Sequence, residues 1–291
     1  MARMHDTSVM TRGPVRIAPG VTRLVAPNPS PMTGPGTNTY ILGHGPYLVV
    51  DPAVDDEAHL QAIGAVTQMQ IEAIVLTHRH PDHAGGAEAL AAASGASILA
   101  WPKPRPGAHD QHVIVDRSLR ADERLVCGGL TIRIHHAPGH AADCIALEVP
   151  DAGLLLAGDT LMTDVTVVIL PPDGDMTAYF ETLARLRDCD IQRIAPGHGD
   201  LIETPRAEIA RVIAHREARE SQVAAALAET TVCAPEDIVD GLYPALDSRL
   251  RPMAAQQIEA HLRRLGELGR ARRLAHGWQA IQDASSPRAR G

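Results

Sequence analysis

Between about Val21 and Pro205 the chain alternates short β-branched runs with amphipathic stretches, the texture of strands interleaved with helices. Residues 47–51 and 73–77 are apolar runs of strand length, and 130–135 alternates with the two-residue period of a half-buried strand. Residues 143–147, 154–157 and 191–195 extend the strand set, whereas 55–68, 86–94 and 177–187 carry apolar positions at helical spacing. A tight turn at Gly43–His44–Gly45 joins 40–42 to 47–50 as a hairpin, so the sheets are expected to be mixed. This half reads as an α/β body. After Pro205 the texture changes to one long helix over 206–229, with Ile209, Val212, Ile213, Val223 and Leu227 toward a core. Two more helices follow at 236–242 and 254–265, the latter with Ile258, Leu262 and Leu265 on one face and Gly266 and Gly269 at its end. A hairpin over 272–281, turning at His276–Gly277, completes a small winged-helix-like module. The predicted division is therefore a body over 1–205 and a module over 206–291, with a frayed tail at 285–291.

Composition narrows the picture. Of 291 residues 45% are apolar but only 2% aromatic, so the core must be built from Ala, Val, Ile and Leu. The first twenty residues hold three Arg and two Pro without an apolar block, and no run reaches the length of a membrane span. The four cysteines, Cys127, Cys144, Cys189 and Cys233, form no CxxC pair and read as buried thiols; Cys144 falls within a predicted strand. A cytoplasmic protein without membrane attachment is expected. The net charge of −8 is uneven: thirteen basic against eleven acidic residues from Arg206 onward give +2 and leave −10 on the body. An acidic body disfavours general attraction to nucleic acid, unless bound cations reverse the field where a substrate sits.

The chemistry is concentrated in Thr77-His78-Arg79-His80-Pro81-Asp82-His83-Ala84-Gly85-Gly86, directly after a buried strand. Four side chains able to bind metal lie within six positions, in a loop that can turn His78 and His80 toward one ion and Asp82 and His83 toward another. Three later segments repeat the same grammar of a strand ending in a ligand beside glycine: Pro138-Gly139-His140, Gly158-Asp159-Thr160 and Pro196-Gly197-His198-Gly199. A lone PGH or GD marks only a turn. Four such segments in order point to a metal centre. Divalent cations held there would acidify a bridging water, and the resulting hydroxide would attack a carbonyl or phosphoryl centre. Asp82, at the metal edge, is the candidate catalytic proton carrier.

The HxHxDH run and the downstream His, Asp and His resemble the metallo-β-lactamase superfamily. The resemblance implies a four-layered αβ/βα sandwich and two Zn²⁺ per chain, with Mn²⁺ or Fe²⁺ as alternatives. It implies that His78, His80 and His140 hold one ion, that Asp82, His83 and His198 hold the other, and that Asp159 bridges them. Asp159 stands where an antibiotic-hydrolysing di-zinc enzyme places Cys, which turns the expectation toward thioesterase, lactonase and nuclease branches. Asp51 matches a position that orients the histidine loop from behind, and equally fits a carboxylate capping the next turn. His44, His109, His112, His135, His136 and His276 match no motif position and read as solvated or locally bonded.

Residues 27–40, residues 171–179, the His215-Arg216 and Arg219-Glu220 pairs and the helical tail resemble the lactamase-beta-like subfamily, whose mitochondrial member is an endoribonuclease; the likeness spans about residues 20–280. A Gly-rich loop over 34–39 could offer N–H groups and the Asn38 amide to an anion, or serve only as a turn. His215, Arg216 and Arg219 could reach an anionic substrate, or pair with Glu217 and Glu220 along their helix. The favoured reaction is hydrolysis of a small ester, thioester or lactone. Cleavage of single-stranded RNA is the alternative, and a non-catalytic winged-helix binding protein is a third reading. An iron oxygenase of the same fold would leave the second set of histidines unused. A homodimer stays open.

Overall fold

The computed structural model describes residues 13–103, 110, 112–163 and 165–281; His109 and the 285–291 tail lie outside them. The first sheet has seven strands in chain order: β1 Val15–Ala18, β2 Val21–Val25, β3 Asn38–Leu42, β4 Tyr47–Val50, β5 Ile71–Val75, β6 Ser97–Ala100 and β7 Arg117–Ser118. Its early members pair antiparallel and those from β4 onward pair parallel. The second sheet holds β8 Arg124–Cys127, β9 Leu130–His136, β10 Ile145–Val149, β11 Leu154–Gly158 and β12 Arg193–Pro196, with only β11 and β12 parallel. Both sheets are mixed, as the hairpin at residues 43–45 required.

Alternation decides the layers. Tyr40, Leu42, Leu48 and Val50 of the first sheet meet Ile132, Ile134, Ile145 and Leu147 of the second in an apolar centre. The intervening positions, Ile41, Val49 and Ile74, face outward onto helices α1 Glu57–Thr67 and α3 Ala87–Ser94 through Ile63 and Leu90. On the other side Leu155, Ala157 and Ile194 face α4 Met176–Arg187 and the start of α5 Pro205–Ala228 through Leu183, Ile209 and Val212. The result is helix, sheet, sheet, helix. Two buried faces per strand explain why these strands read as continuous apolar runs.

Short strands β1, β2, β6, β7 and β8 were not evident from periodicity; β7 has two residues, and a pairing that short leaves no pattern to read. Helix α1 starts at Glu57 because Asp56 caps it, its carboxylate accepting from the His59 N–H at 2.9 Å. Asp175 caps α4 in the same way.

Three helices and a hairpin form the C-terminal module: the second half of α5, α6 Pro235–Leu242, α7 Arg251–Glu267, β13 Ala271–Leu274 and β14 Gly277–Ala280. Its core joins Val223, Leu227, Ile258, Leu262, Leu265 and Trp278. Helix α5 thus serves two cores, Ile209 and Val212 packing on the body and Val223 and Leu227 on the module. Ile213 is only partly buried at the first of these.

Candidate metal centre

All ligand-bearing segments end at one edge of the sandwich, where strands give way to loops. The histidine loop follows β5, and its Pro81 opens the short helix α2 Pro81–Ala84. Proline at the first helical position fixes the turn that carries Asp82 and His83, and the His83 ring comes back to 4.2 Å from the His78 ring. His140 follows β9, Asp159 follows β11 and His198 follows β12.

The seven side chains converge. Nitrogens of His78, His80 and His140 lie within 4.8 Å of one another, and so do the ligand atoms of Asp82, His83 and His198. His78 Nε2 and His140 Nε2 are each 3.0 Å from His80 Nδ1. Asp159 stands between the groups, with Oδ1 at 3.3 Å from His83 Nε2 and 3.4 Å from His198 Nε2, and Oδ2 at 3.8 Å from His140 Nε2. Asp159 Oδ1 is buried without a hydrogen-bond partner. Imidazole lone pairs crowded onto each other around an orphaned carboxylate oxygen have the chemistry of a cation site.

Electrostatics separates the two halves. Burial, reinforced by the neighbouring imidazoles, pushes His78 well below its ordinary value and His80 down to about 4, so both present free lone pairs. In the other half burial opposes charge, yet the carboxylates prevail: Asp159 and Asp51 hold His83 well above its usual range, and Asp159 with Asp82 holds His198 at about 9. Asp82 is lowered to about 2, burial being outweighed by His198 and His83. A half-site that demands positive charge can receive it from protons or from a metal ion.

Support comes from behind. Asp51 is buried, and its Oδ2 accepts from His83 Nδ1 at 2.8 Å and from the Thr77 hydroxyl at 2.7 Å. Its Oδ1 accepts from the Thr77 N–H at 2.7 Å. One carboxylate therefore both fixes the loop and sets the His83 tautomer, leaving Nε2 for the cluster. At His198 the constraint is close approach. A Cβ on Gly197 would lie 2.4 Å from Asp159 Oδ1 and 2.7 Å from His83 Cε1, so only glycine fits. Gly139 has φ +148°, and a Cβ there would strike Tyr179 at 2.6 Å.

The residues expected to touch substrate are placed elsewhere. The Asn38 amide is committed, donating to Pro196 O and to Gly199 O, each at 2.9 Å. The N–H groups of Gly36, Thr37 and Asn38 are likewise engaged, the last with Gly197 O at 2.7 Å. The glycine-rich loop thus clamps the His198 segment instead of cradling an anion. Arg216 is buried, donating to Val167 O and lying 5.6 Å from the Tyr179 ring centroid. Arg219 packs over the Tyr243 ring, and His215 is exposed on α5; none of the three lines the cleft. Their spacing on a helix signalled only which face they share, and the body packs on the Arg216 face.

A cleft of about 740 Å³ opens over the cluster. His80, Asp82, His140, Asp159 and His198 form its floor, and Met32, Met162, Val165, Val167, Val168 and Leu170 form an apolar wall. Gln256 of α7 closes one side, so the module contributes to the cleft. No Lys or Arg lines it among the described residues. These wall residues lie in loops without periodicity, and only folding brings them together. The same holds for Lys103, almost fully buried among Asp110, Asp143 and Asp173 at 2.9, 3.2 and 2.8 Å. The unmatched histidines are locally bonded or exposed: His135 pairs with Glu148 at 2.7 Å and His136 stacks on Trp101, whereas His44, His112 and His276 face solvent. Cys144 is buried. No helix among the described residues is long and apolar enough to cross a membrane.

Comparison with known proteins agrees with this architecture. The family model described as "Metallo-beta-lactamase superfamily" matches residues 32–198, and "Beta-lactamase associated winged helix domain" matches 234–278. A "Beta-lactamase-like protein 2 homolog" of Drosophila melanogaster is 31% identical over 271 residues, covering 88% of this chain and 91% of that protein. An "Atrochrysone carboxyl ACP thioesterase" of Aspergillus fumigatus is 30% identical over 219 residues, covering 72% and 66%. Among solved structures, a metallo-beta-lactamase family protein from Thermus thermophilus superposes with a TM-score of 0.76 at 23% identity, covering 91% of this chain and all of that one.

Proposed function

The chain belongs to the metallo-β-lactamase superfamily of hydrolases, and on that premise we propose that it hydrolyses a small acyl thioester or ester with two bound Zn²⁺. His78, His80 and His140 would hold one ion, Asp82, His83 and His198 the other, with Asp159 shared. The observation that carries the substrate class is the wall of the cleft. Six apolar side chains line the cleft beside the cluster and, among the described residues, no Lys or Arg does. An apolar acyl chain gains about 25 cal/mol for each Å² it buries there, whereas a polyanionic strand would find no guanidinium or ammonium among the described residues of this wall to neutralise it. Similarity to a fungal acyl-carrier thioesterase supports the same reading.

When bound, the ions supply Lewis acidity toward the carbonyl oxygen and lower the pKa of water. The chain's own groups do the rest. The apolar wall aligns the acyl chain so that the carbonyl lies over the ligands. Asp82, partly exposed at the cleft floor and 3.2 Å from His198, is placed to take the proton of the attacking water and return it to the departing thiolate or alkoxide. We place the boundary between the hydrolytic body and the module at residue 205, where α5 begins, with the first turns of α5 still packed on the body through Ile209 and Val212.

Elemental analysis should give about two zinc ions per chain; a single iron would overturn the di-zinc assignment. A panel of acyl thioesters, esters, lactones and labelled single-stranded RNA tests the substrate. Thioester or ester turnover lost in His80→Ala is expected. RNA cleavage lost in His80→Ala, with no acyl substrate turned over, would replace this reading.

A further inference from the structure

A second cleft, of about 630 Å³, lies between the start of α4 and the wing of the module. It meets the metal cleft at Pro171 and Pro172, which line both. The two differ sharply in chemistry. Among the described residues no Lys or Arg lines the metal cleft, whereas the second is lined by Arg263, Arg264, Arg272 and Arg273.

The existing partners of these guanidinium groups leave donors over. Glu259 is shared: it accepts from Arg263 Nε at 2.8 Å and from Trp278 Nε1 at 2.7 Å, and lies 3.2 Å from Arg273 Nη1. Arg264 donates to Glu220 at 2.6 Å and covers the Phe180 ring. Arg272, exposed on β13, bonds only the neutral Gln279 side chain among the described residues, across the hairpin with Nε at 2.8 Å. No carboxylate lies within 4 Å of it among the described residues. The rim carboxylates are already bonded, Asp175 to the Ala178 N–H at 2.8 Å and Glu267 to the Thr177 hydroxyl. Each guanidinium carries five N–H donors in a planar fork suited to phosphate oxygens. The N-terminus of α4, twelve residues long, opens into the same cleft through Met176 and Thr177.

We propose that this arginine cleft binds the phosphate end of an acyl thioester whose acyl end lies in the metal cleft, so that specificity is divided across the Pro171–Pro172 ridge. This rests on the thioester reading above. Placing the phosphate end on the module leaves the neutral scissile carbonyl over the ligand cluster. It also gives the module a function besides packing.

The test compares hydrolysis of an acyl-coenzyme A with the same acyl group on N-acetylcysteamine, which lacks phosphate. The holoenzyme should show a KM at least about tenfold lower for the coenzyme A thioester, with similar kcat; tenfold corresponds to about 1.4 kcal/mol. Arg272→Ala should collapse that ratio, mostly through the KM for coenzyme A, and Arg272→Lys should restore part of it. Inhibition by adenosine 3′,5′-bisphosphate would place the nucleotide phosphates in the cleft; inhibition by 4′-phosphopantetheine alone would place the arm of a carrier there. Equal KM values for the two substrates in wild type, or an unchanged ratio in Arg272→Ala, would overturn the proposal, as would a single-stranded oligoribonucleotide displacing both inhibitors. If neither thioester is hydrolysed, the thioester reading fails. Calorimetric titration with adenosine 3′,5′-bisphosphate then judges the cleft alone: binding lost in Arg272→Ala supports it, and no binding to wild type refutes it.

Discussion

Replacing Asp51 by Asn keeps the shape of the side chain and removes one acceptor oxygen and the charge. In the native site three donors end on this carboxylate: the Thr77 N–H at 2.7 Å, the Thr77 hydroxyl at 2.7 Å and His83 Nδ1 at 2.8 Å. An amide has one oxygen. If it stays with the Thr77 N–H, the NH2 group faces the hydroxyl and His83 Nδ1. The hydroxyl can turn its proton away and accept from the NH2 group, keeping its 3.1 Å contact with His78 Nδ1. His83 then has one remedy, to move its proton to Nε2 so that Nδ1 accepts from the amide. That remedy takes away the Nε2 lone pair that faces Asp159 at 3.3 Å and His198. Loss of such a support lowers metal affinity by about 10–100-fold, or about 1.4–2.7 kcal/mol. Charge-assisted bonds of this kind contribute about 1.5–3 kcal/mol each, so a fall in Tm accompanies it. Competition with a chelating dye should show one zinc weakened by that factor and the other nearly unchanged. Two zinc ions bound as tightly in Asp51→Asn as in wild type would refute the tautomer argument, whatever happened to Tm.

Other substitutions probe different links. Gly197→Ala should lose the second ion and most turnover while remaining folded by circular dichroism, because its Cβ would land 2.4 Å from Asp159 Oδ1; full zinc content would contradict the packing argument. Lys103→Met should destabilise by up to about 3–5 kcal/mol in a denaturant melt, since it removes the cation that Asp110, Asp143 and Asp173 share, Asp143 keeping Arg79 at 3.8 Å; a change under about 1 kcal/mol would show that the shared cation is not what holds this cluster. Burial, against the weaker pull of Asp56, lowers His59 to about 4, and its Nε2–H donates to the Thr39 hydroxyl at 2.9 Å. The unfolded chain takes up this proton near pH 6.5 and the folded one only near 4, so stability should fall as pH drops through that window, by up to about 3 kcal/mol, and then level off. Melts of the metal-free protein at about pH 7 and about pH 4.5 should show a smaller acid loss in His59→Gln than in wild type; equal losses would remove His59 as a cause.

Sequence alone determined the class of fold and singled out the candidate ligands that the fold brings together, because both are written in local patterns. His140, Asp159 and His198 each follow a strand and adjoin a glycine, and glycine is demanded there by contacts such as those around Gly197 and Gly139. Apolar runs such as residues 73–76 are continuous because both faces of the sheet are covered. What the sequence left undecided depends on contacts between distant segments. Asn38 looked free to meet an anion, and the fold spends its amide on carbonyls 158 and 161 residues away. Arg216 looked exposed, and the packing of α5 on the body buries it against Val167. The cleft wall joins Met32, Met162 and Gln256, none of which carries a local signal. Ligands announce themselves because coordination fixes residue type and the turn beside it. Substrate walls do not, since any apolar side chain of suitable volume serves, and only the tertiary structure decides which ones meet.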